Sequence, residues 1–153
     1  MIVMSKACRL DPVAQVAKSK EDQAAKDLAA YQKRADEQSA RLASLMSFRA
    51  EYRQRLQDAG SAGMDARRFH EFSDFIARLD SAIEQQTAVL GKLKAECEVK
   101  KQQWIAMRAK TKALDKVIAR HVAQEMRTDA RREQAALDDR AQHHAKGESP
   151  WDE

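Results

Sequence analysis

The sequence predicts an all-α fold, a long antiparallel two-helix coiled-coil hairpin with an overhanging C-terminal helix. Ala, Glu, Lys, Leu and Arg supply 77 of the 153 residues, a share typical of long helices and coiled coils. Only 4 Gly, 2 Pro and 8 aromatic residues are present, which argues against a β-sandwich or a β-barrel. Leu, Ile, Val and Phe together supply 26 residues, too few for a large globular core.

The order of the elements follows from helix-capping and helix-breaking residues. Asp11 followed by Pro12 predicts a helix start, because Asp caps free N–H groups and Pro at the first helical position loses no hydrogen bond. The segment GSAG is the strongest break before the tail, and it is short enough to join antiparallel helices. We expect one hairpin domain over residues 1–145, with a first helix at about 11–59, a loop at 60–63, a second helix at about 65–142, and a disordered tail at 146–153.

Both predicted helices carry a heptad repeat, whose positions we call the seam. In the first helix 11 of 14 seam residues are apolar, and in the second helix 12 of 16 are apolar. A period of 3.5 residues over this length predicts a left-handed supercoil. The first seam comprises Leu10, Ala14, Ala17, Glu21, Ala24, Leu28, Tyr31, Ala35, Gln38, Leu42, Leu45, Arg49, Tyr52 and Leu56. The second comprises Phe69, Phe72, Ile76, Leu79, Ile83, Gln86, Leu90, Leu93, Cys97, Lys100, Trp104, Met107, Thr111, Leu114, Ile118 and His121.

Folding the chain at the loop pairs seam residues whose numbers sum to about 124. Gln38 and Gln86 then meet in one polar layer, which sets the register because a slipped hairpin would bury each amide unpaired. Pairing ends near Leu10 and Leu114 in this register. We expect roughly 30 further helical residues, about 45 Å of helix, to form the overhang.

Charge and cysteine content narrow the class of protein. The pI of about 9.1 is only a weak nucleic-acid signal, because 28 basic and 24 acidic residues are interspersed. No apolar run approaches the ~20 residues of a membrane span. The apolar stretch at the start of the sequence is too short for a secretory signal. Cys8 and Cys97 form neither a metal motif nor a disulfide framework, so a reducing cytosol is expected.

Catalytic and metal-binding patterns are not found in the sequence. The four histidines lack the i, i+4 spacing that places two metal ligands on one helix face. There is no Gly-rich phosphate loop and no nucleophile elbow. We therefore expect a protein that is not an enzyme and that has no metal, cofactor or small-molecule substrate. The histidines are His70, His121, His143 and His144.

One candidate protein-binding surface surrounds two phenylalanines that the seam does not explain. Phe48 and Phe75 each lie one residue before a seam position and are expected to flank each other. A two-helix hairpin has no further helix or sheet to cover them. An apolar patch of this type marks protein recognition. Self-association and a widened core are the alternatives. The patch, which we call the aromatic patch, comprises Leu45, Phe48, Tyr52, Phe75, Leu79 and Ala82.

A second candidate surface lies on the predicted overhang. This segment combines many basic residues with an apolar stripe, and a helix with such a stripe and no internal partner requires an external one. A solvated charged helix face is the alternative. The candidate binding residues are Arg108, Lys112, Leu114, Lys116, Ile118, Arg120 and Arg127.

Several short motifs, in their order and spacing, resemble the flagellar type III export stalk family, FliJ. They are EYR at 51–53, FIARLDSAIEQQ at 75–86, Trp104, and EQAALDD at 133–139. The resemblance covers nearly the whole chain. It implies an antiparallel two-helix coiled coil similar to the gamma subunit of rotary ATP synthases.

The resemblance also implies a set of partners. The paired termini would enter the pore of a hexameric export ATPase and promote its assembly and activity, with the basic residues of the overhang pairing with acidic loops of the ring. The aromatic patch would bind the cytoplasmic region of the membrane export gate, and free export chaperones would be further partners. We expect a cytoplasmic monomer, peripherally associated with the inner membrane at the export apparatus, that binds no nucleic acid.

Three other functions remain open on the sequence alone. The equivalent stalk of a virulence type III injectisome shares the architecture and the mechanism. A homodimeric coiled-coil scaffold would pair its heptads between chains. A nucleic-acid binder is suggested by the pI, without a recognised motif or stacking aromatic residues to accompany the charge.

Overall fold

Two long helices account for nearly all of the chain that the structure describes. The structure is a computed structural model that describes residues 5–147. Helix α1 spans Lys6–Ser61 and helix α2 spans Ala66–Gly147. Residues 5–147 contain no β-strand. The predicted all-α fold with two long helices is therefore confirmed.

Helix α1 begins five residues earlier than the sequence predicts. The Ser5 hydroxyl accepts a hydrogen bond from the Cys8 backbone N–H at 3.0 Å, so Ser5 is the capping residue in place of Asp11. Pro12 consequently lies inside the helix, where its missing N–H leaves one carbonyl of the first turns without its helical partner. The prediction failed because Ser5 and Asp11 are both capping residues, and the sequence does not show which of them is used.

The connection between the helices is also shifted by two residues. Gly60 and Ser61 continue α1, and the Ser61 hydroxyl donates to the Gln57 carbonyl at 3.0 Å. Gly63 adopts a φ of 87°, which L side chains rarely adopt. Asp65 immediately precedes α2, and its carbonyl accepts the first helical hydrogen bond from the Phe69 N–H at 3.0 Å. The loop therefore occupies residues 62–65 rather than 60–63.

We expect substitution of two glycines to change stability in opposite directions. Gly63→Ala should lower the free energy of unfolding by about 1 kcal/mol, because an alanine at positive φ is strained. Gly91→Ala should raise it by about 1 kcal/mol, because Gly91 is helical and open space surrounds its added Cβ. Urea unfolding followed by circular dichroism measures both. A Gly63→Ala protein as stable as the wild type would contradict the strained turn.

The chain divides into two compact units. Within the described residues, one unit, which we call the terminal unit, contains residues 5–21 and 107–147, and the other, the loop unit, contains residues 22–106. In each unit a stretch of α1 runs antiparallel to a stretch of α2. The prediction of a single hairpin domain over residues 1–145 stays a prediction, and each unit is described by itself below. The predicted tail falls outside the described residues from 148 onward, whereas residues 146 and 147 belong to α2.

The predicted seam matches the burial pattern of both helices. Every seam residue of α1 is partly buried, and every seam residue of α2 except Phe69 is buried or partly buried. Ile76, Ile83 and Leu90 are the most deeply buried apolar residues of the loop unit. Phe69 is exposed because it lies in the first turn of α2, where α1 is ending and offers little surface to cover it. A period of 3.5 residues therefore governs the packing.

The predicted polar layer of the loop unit is present. The Gln86 side-chain amide donates to the Gln38 side-chain oxygen at 2.6 Å and to the Gln38 backbone carbonyl at 3.2 Å. Both side chains are partly buried, so these hydrogen bonds are shielded from competition by water. A register shifted by one heptad would place an apolar residue opposite each amide. The pair therefore acts as a register marker.

We expect a single substitution of this pair to lower stability and the double substitution to recover the loss. Gln86→Leu should lower the free energy of unfolding by about 1 kcal/mol, because it leaves a half-buried Gln38 amide without its partner. The double variant, Gln38→Leu with Gln86→Leu, should recover this loss, because no half-buried amide is then left without a hydrogen-bond partner. Urea midpoints of the three proteins provide the measurement. A double variant less stable than the single one would show that the amides stabilise the fold beyond marking the register.

Helix pairing in the terminal unit extends further than the sequence predicts. Ser5, Lys6 and Arg9 line one cleft together with residues of α2 between His121 and Arg132. The predicted end of pairing near Leu114 is therefore wrong, because α1 begins at Lys6 and accompanies α2 past that point. All residues from 126 to 147 are exposed. An overhang beyond the paired part stays a prediction.

Candidate protein-interaction surfaces

The aromatic patch of the loop unit is organised around Tyr52. The Tyr52 ring lies 4.6 Å from the Phe75 ring and 6.2 Å from the Phe72 ring, centroid to centroid, in tilted arrangements. Such pairs add about 0.5–1.5 kcal/mol to the area that they bury. Tyr52 is partly buried on the seam, whereas Phe75 remains 39% exposed. The patch is thus a fixed aromatic cluster with one open face.

Phe48 is the most exposed aromatic side chain of the patch, at 52%. The sequence predicts that Phe48 and Phe75 flank each other, but the ring partner of Phe75 is Tyr52. Within residues 5–147 the Phe48 ring takes part in no aromatic pair. Phe48 precedes the seam residue Arg49, a position that places its side chain beside the helix interface rather than within it. About half of the Phe48 surface is therefore open to solvent.

The other predicted members of the patch lie deeper. Leu45, Leu79 and Ala82 are all partly buried. Leu45 and Leu79 belong to the seam, so most of their surface packs between the helices. They form the floor of the patch, while Phe48 and Phe75 supply its accessible apolar surface.

An ionic bridge that the sequence analysis did not predict joins the helices at this patch. Arg49 and Arg53 place Nη atoms 3.1 Å and 3.3 Å from the same Asp80 carboxylate oxygen. The Arg55 guanidinium lies 5.3 Å from the Tyr52 ring centroid, in cation–π range. The signal for this bridge in the sequence was Arg49, an arginine at a seam position, because a charged side chain in the helix interface requires a partner on the other helix. The bridge fixes the backbone beneath Phe48.

A row of basic residues runs along α2 in the terminal unit. We call it the basic stripe, and its members follow one another at i+4 spacing, which places them on neighbouring turns. Like charges at this spacing destabilise a helix slightly, so the stripe is not a stabilising feature. Lys112, Lys116 and Arg120 are exposed, and none of the three forms an ion pair within residues 5–147. The members are Arg108, Lys112, Lys116 and Arg120.

The remaining predicted residues of this second surface divide into two kinds. Arg127 is exposed and, within the described chain, in no ion pair. Leu114 and Ile118 are partly buried and belong to the seam, beside the N-terminal part of α1. These two therefore stabilise helix pairing and are not a free apolar stripe, which corrects the sequence-based interpretation. Among the predicted residues of this second surface, those that remain available for binding are basic.

A groove that the sequence analysis missed lies in the same unit. It has a volume of about 450 Å³ and is lined mainly by apolar residues of both helices, with Lys20 and Lys110 at its edges. The signal in the sequence was Val13 and Val16, two apolar residues that each precede a seam residue. The apolar lining of the groove includes Val13, Val16, Ala17, Met107, Ala113, Leu114 and Val117.

The described chain has neither a metal-binding cluster nor a membrane-spanning helix. Residues 5–147 contain no group of three or more His, Cys, Asp or Glu side chains placed to hold a metal ion. No helix in the same range has an apolar stretch long enough to cross a membrane. The candidate functional features of the described chain are the aromatic patch, the basic stripe and the groove, all of which lie on its surface.

Comparison with known proteins gives the family of the chain. No curated protein and no solved structure was found to match the chain. A family model described as flagellar FliJ protein matches residues 5–149, nearly the full length. This match confirms the resemblance drawn from the short motifs, and it supports the flagellar system over the virulence system. The chain belongs to the flagellar FliJ protein family, which gives it the general role of a stalk in the flagellar protein-export apparatus.

Proposed function

We propose that this protein is a non-enzymatic stalk and adaptor that inserts into the hexameric export ATPase, promotes its assembly and activity, and docks the export gate and export chaperones. The observation that carries the proposal is the family match over residues 5–149. The two-helix architecture is compatible with it.

The terminal unit is the part that we assign to the ATPase ring. Lys112, Lys116 and Arg120 of the basic stripe are suited to acidic loops on the inner face of a ring, because exposed charges that form no ion pair within residues 5–147 attract opposite charges over about 8 Å at physiological salt. A two-helix segment inside a pseudo-sixfold ring contacts the subunits unequally. It therefore shifts their conformational equilibrium only to the extent that it binds some conformations more tightly than others.

The loop unit is the part that we assign to the export gate. Phe48 and Phe75 expose apolar surface above a floor fixed by Tyr52 and by the ion pair of Arg49 with Asp80. Rigid aromatic side chains of this kind are frequent anchors in protein interfaces, because burying them requires little loss of conformational entropy. The cytoplasmic region of the gate would bury both rings.

The remaining parts of the proposal follow from the same assignment. The protein would be a cytoplasmic monomer, held peripherally at the inner membrane through the gate and the ATPase. Export chaperones are included as partners on the basis of the family, and we assign no surface of this protein to them. No nucleic acid is involved.

The first experiment is steady-state ATP hydrolysis by the export ATPase of the same organism, with and without the full chain, together with the mass of the chain in solution. Stimulation by a monomer is the expected result. No stimulation together with a stable dimer would overturn the proposal in favour of a homodimeric scaffold. DNA binding that persists at physiological salt, without any effect on hydrolysis, would overturn it in favour of a nucleic-acid binder.

A further inference from the structure

The groove of the terminal unit has an apolar centre that the chain leaves open. Val13 and Val16 on α1 are 50% and 55% exposed, and Val117 on α2 is 37% exposed. They line one continuous depression of about 450 Å³, so they are not isolated surface residues of the kind that needs no explanation. The small side chains of Ala17 and Ala113 create the space between the helices.

The charged residues around this groove all have one sign. The groove lies on the side formed by residues that come one position before each seam residue. On α1 between residues 6 and 20 these are Lys6, Arg9, Val13, Val16 and Lys20, and on α2 between 106 and 120 they are Ala106, Lys110, Ala113, Val117 and Arg120. No acidic residue occurs among them. The opposite side, one position after each seam residue, is mixed and includes Asp11 and Asp115.

We propose that this groove binds an amphipathic helix of a partner protein whose apolar stripe is flanked by aspartate or glutamate residues. The wall of the groove on α1 runs from Val13 to Lys20, 8 residues or about 12 Å, which accommodates a helix of about two turns. The apolar stripe of such a helix would bury the valines, as helix-in-groove recognition does generally. Its acidic residues would lie beside Lys20 and Lys110 at the edges.

The basic residues at the edges of the groove also argue against a second copy of this chain as its binding partner. Two copies that faced each other through the groove would bring Lys20 and Lys110 of one copy close to the same basic residues of the other. Juxtaposed like charges in an interface are unfavourable and suppress such pairing. An acidic helix buries the same valines and gains electrostatic attraction. This inference does not depend on the role in export, because it rests only on the shape and charge of the groove.

The test uses the full chain and two dye-labelled synthetic helical peptides in fluorescence anisotropy titrations. The peptides share one leucine stripe, and the positions that flank it are Glu in one peptide and Lys in the other. The Glu-flanked peptide should bind at least about tenfold more tightly than the Lys-flanked one. Equal affinity for the two peptides, or no binding of either, would overturn the proposal.

Two sets of variants assign the binding to the groove. Val16→Glu should weaken binding of the Glu-flanked peptide by about tenfold or more, whereas Val99→Glu should leave it unchanged. Val99 is the matched control, because it is also 55% exposed and also precedes a seam residue, but it lies in the loop unit. Lys20→Glu combined with Lys110→Glu should reverse the preference in favour of the Lys-flanked peptide.

Further outcomes of these experiments would overturn the proposal that the groove binds an acidic helix. An equal loss of binding in the Val16 and Val99 variants would show that the peptide binds elsewhere. A dimer in solution that Val16→Glu dissociates would assign the groove to a second copy. If Val16→Glu loses its helical circular dichroism signal, the test depends on the variant that combines Lys20→Glu with Lys110→Glu. Both lysines are exposed, so this variant is expected to fold. An unchanged preference for the Glu-flanked peptide in this variant would overturn the proposal.

Discussion

Replacing Lys112, Lys116 and Arg120 together with Glu is expected to raise, by at least about tenfold, the concentration of this protein that gives half-maximal stimulation of the export ATPase. The three side chains are exposed and in no ion pair within residues 5–147, so they are available to a partner. An exposed ion pair contributes about 0.2–1 kcal/mol, and charge reversal turns each attraction into a repulsion. Three reversals should weaken ring binding by about 1.4 kcal/mol or more, which is at least tenfold.

The measurement is the concentration of this protein that gives half-maximal stimulation of ATP hydrolysis. The control variant replaces Lys92, Lys94 and Lys101, three exposed lysines of the loop unit, with Glu. Each set of three changes alters the charge by two units per residue and lowers the formal net charge from +4 to −2. An equal loss in both variants would show that net charge, and not the basic stripe, determines the stimulation. Helical content by circular dichroism should be unchanged in both.

Replacing Phe48 with Ala is expected to weaken binding to the cytoplasmic region of the export gate by about ten- to a hundredfold. Full burial of a phenylalanine contributes about 1.5–3 kcal/mol, and the proposed interface would bury the half of this ring that is now exposed together with its surroundings. The stability of the free protein should change by less than about 0.5 kcal/mol, because Phe48 packs against no other ring within the described residues. Calorimetric titration of the gate fragment and urea unfolding measure the two effects.

Phe69 provides the matched control for this experiment. It is 46% exposed, close to the value of Phe48, and lies outside the aromatic patch. Phe69→Ala should leave gate binding unchanged. If both substitutions weaken binding equally, the gate recognises general apolar surface rather than the patch. A large loss of stability in Phe48→Ala would instead mean that this ring belongs to the core.

The heptad pattern predicted which side chains are buried, and the polar layer predicted the register. Gln38 and Gln86 form their hydrogen bond as the pairing arithmetic requires. This succeeds because residue spacing along a helix determines which side chains share a face, and a supercoil converts one face into an interface. Phe69 is the exception, since burial at the end of a hairpin depends on where the partner helix stops.

The start of α1 could not be predicted in the same way. Ser5 and Asp11 are equally good capping residues, and the choice depends on whether the intervening turn finds a partner. Ala7 is buried and Leu10 is partly buried in the terminal unit, so extending the helix to Lys6 buries apolar surface that offsets the lost hydrogen bond at Pro12. The longer α1 in turn pairs with α2 beyond Leu114, so that Leu114 and Ile118 belong to the helix interface instead of a free apolar stripe.

The sequence by itself determined the helical fold, the seam, the register layer and the family. These follow from periodicity and from short motifs, which are properties of the chain alone. Only the tertiary structure decided that Tyr52 rather than Phe48 packs on Phe75, that Asp80 joins two arginines, and that valines flank an open groove. Those features depend on side-chain rotamers and on the space that small alanines leave between helices, and heptad spacing specifies neither of them.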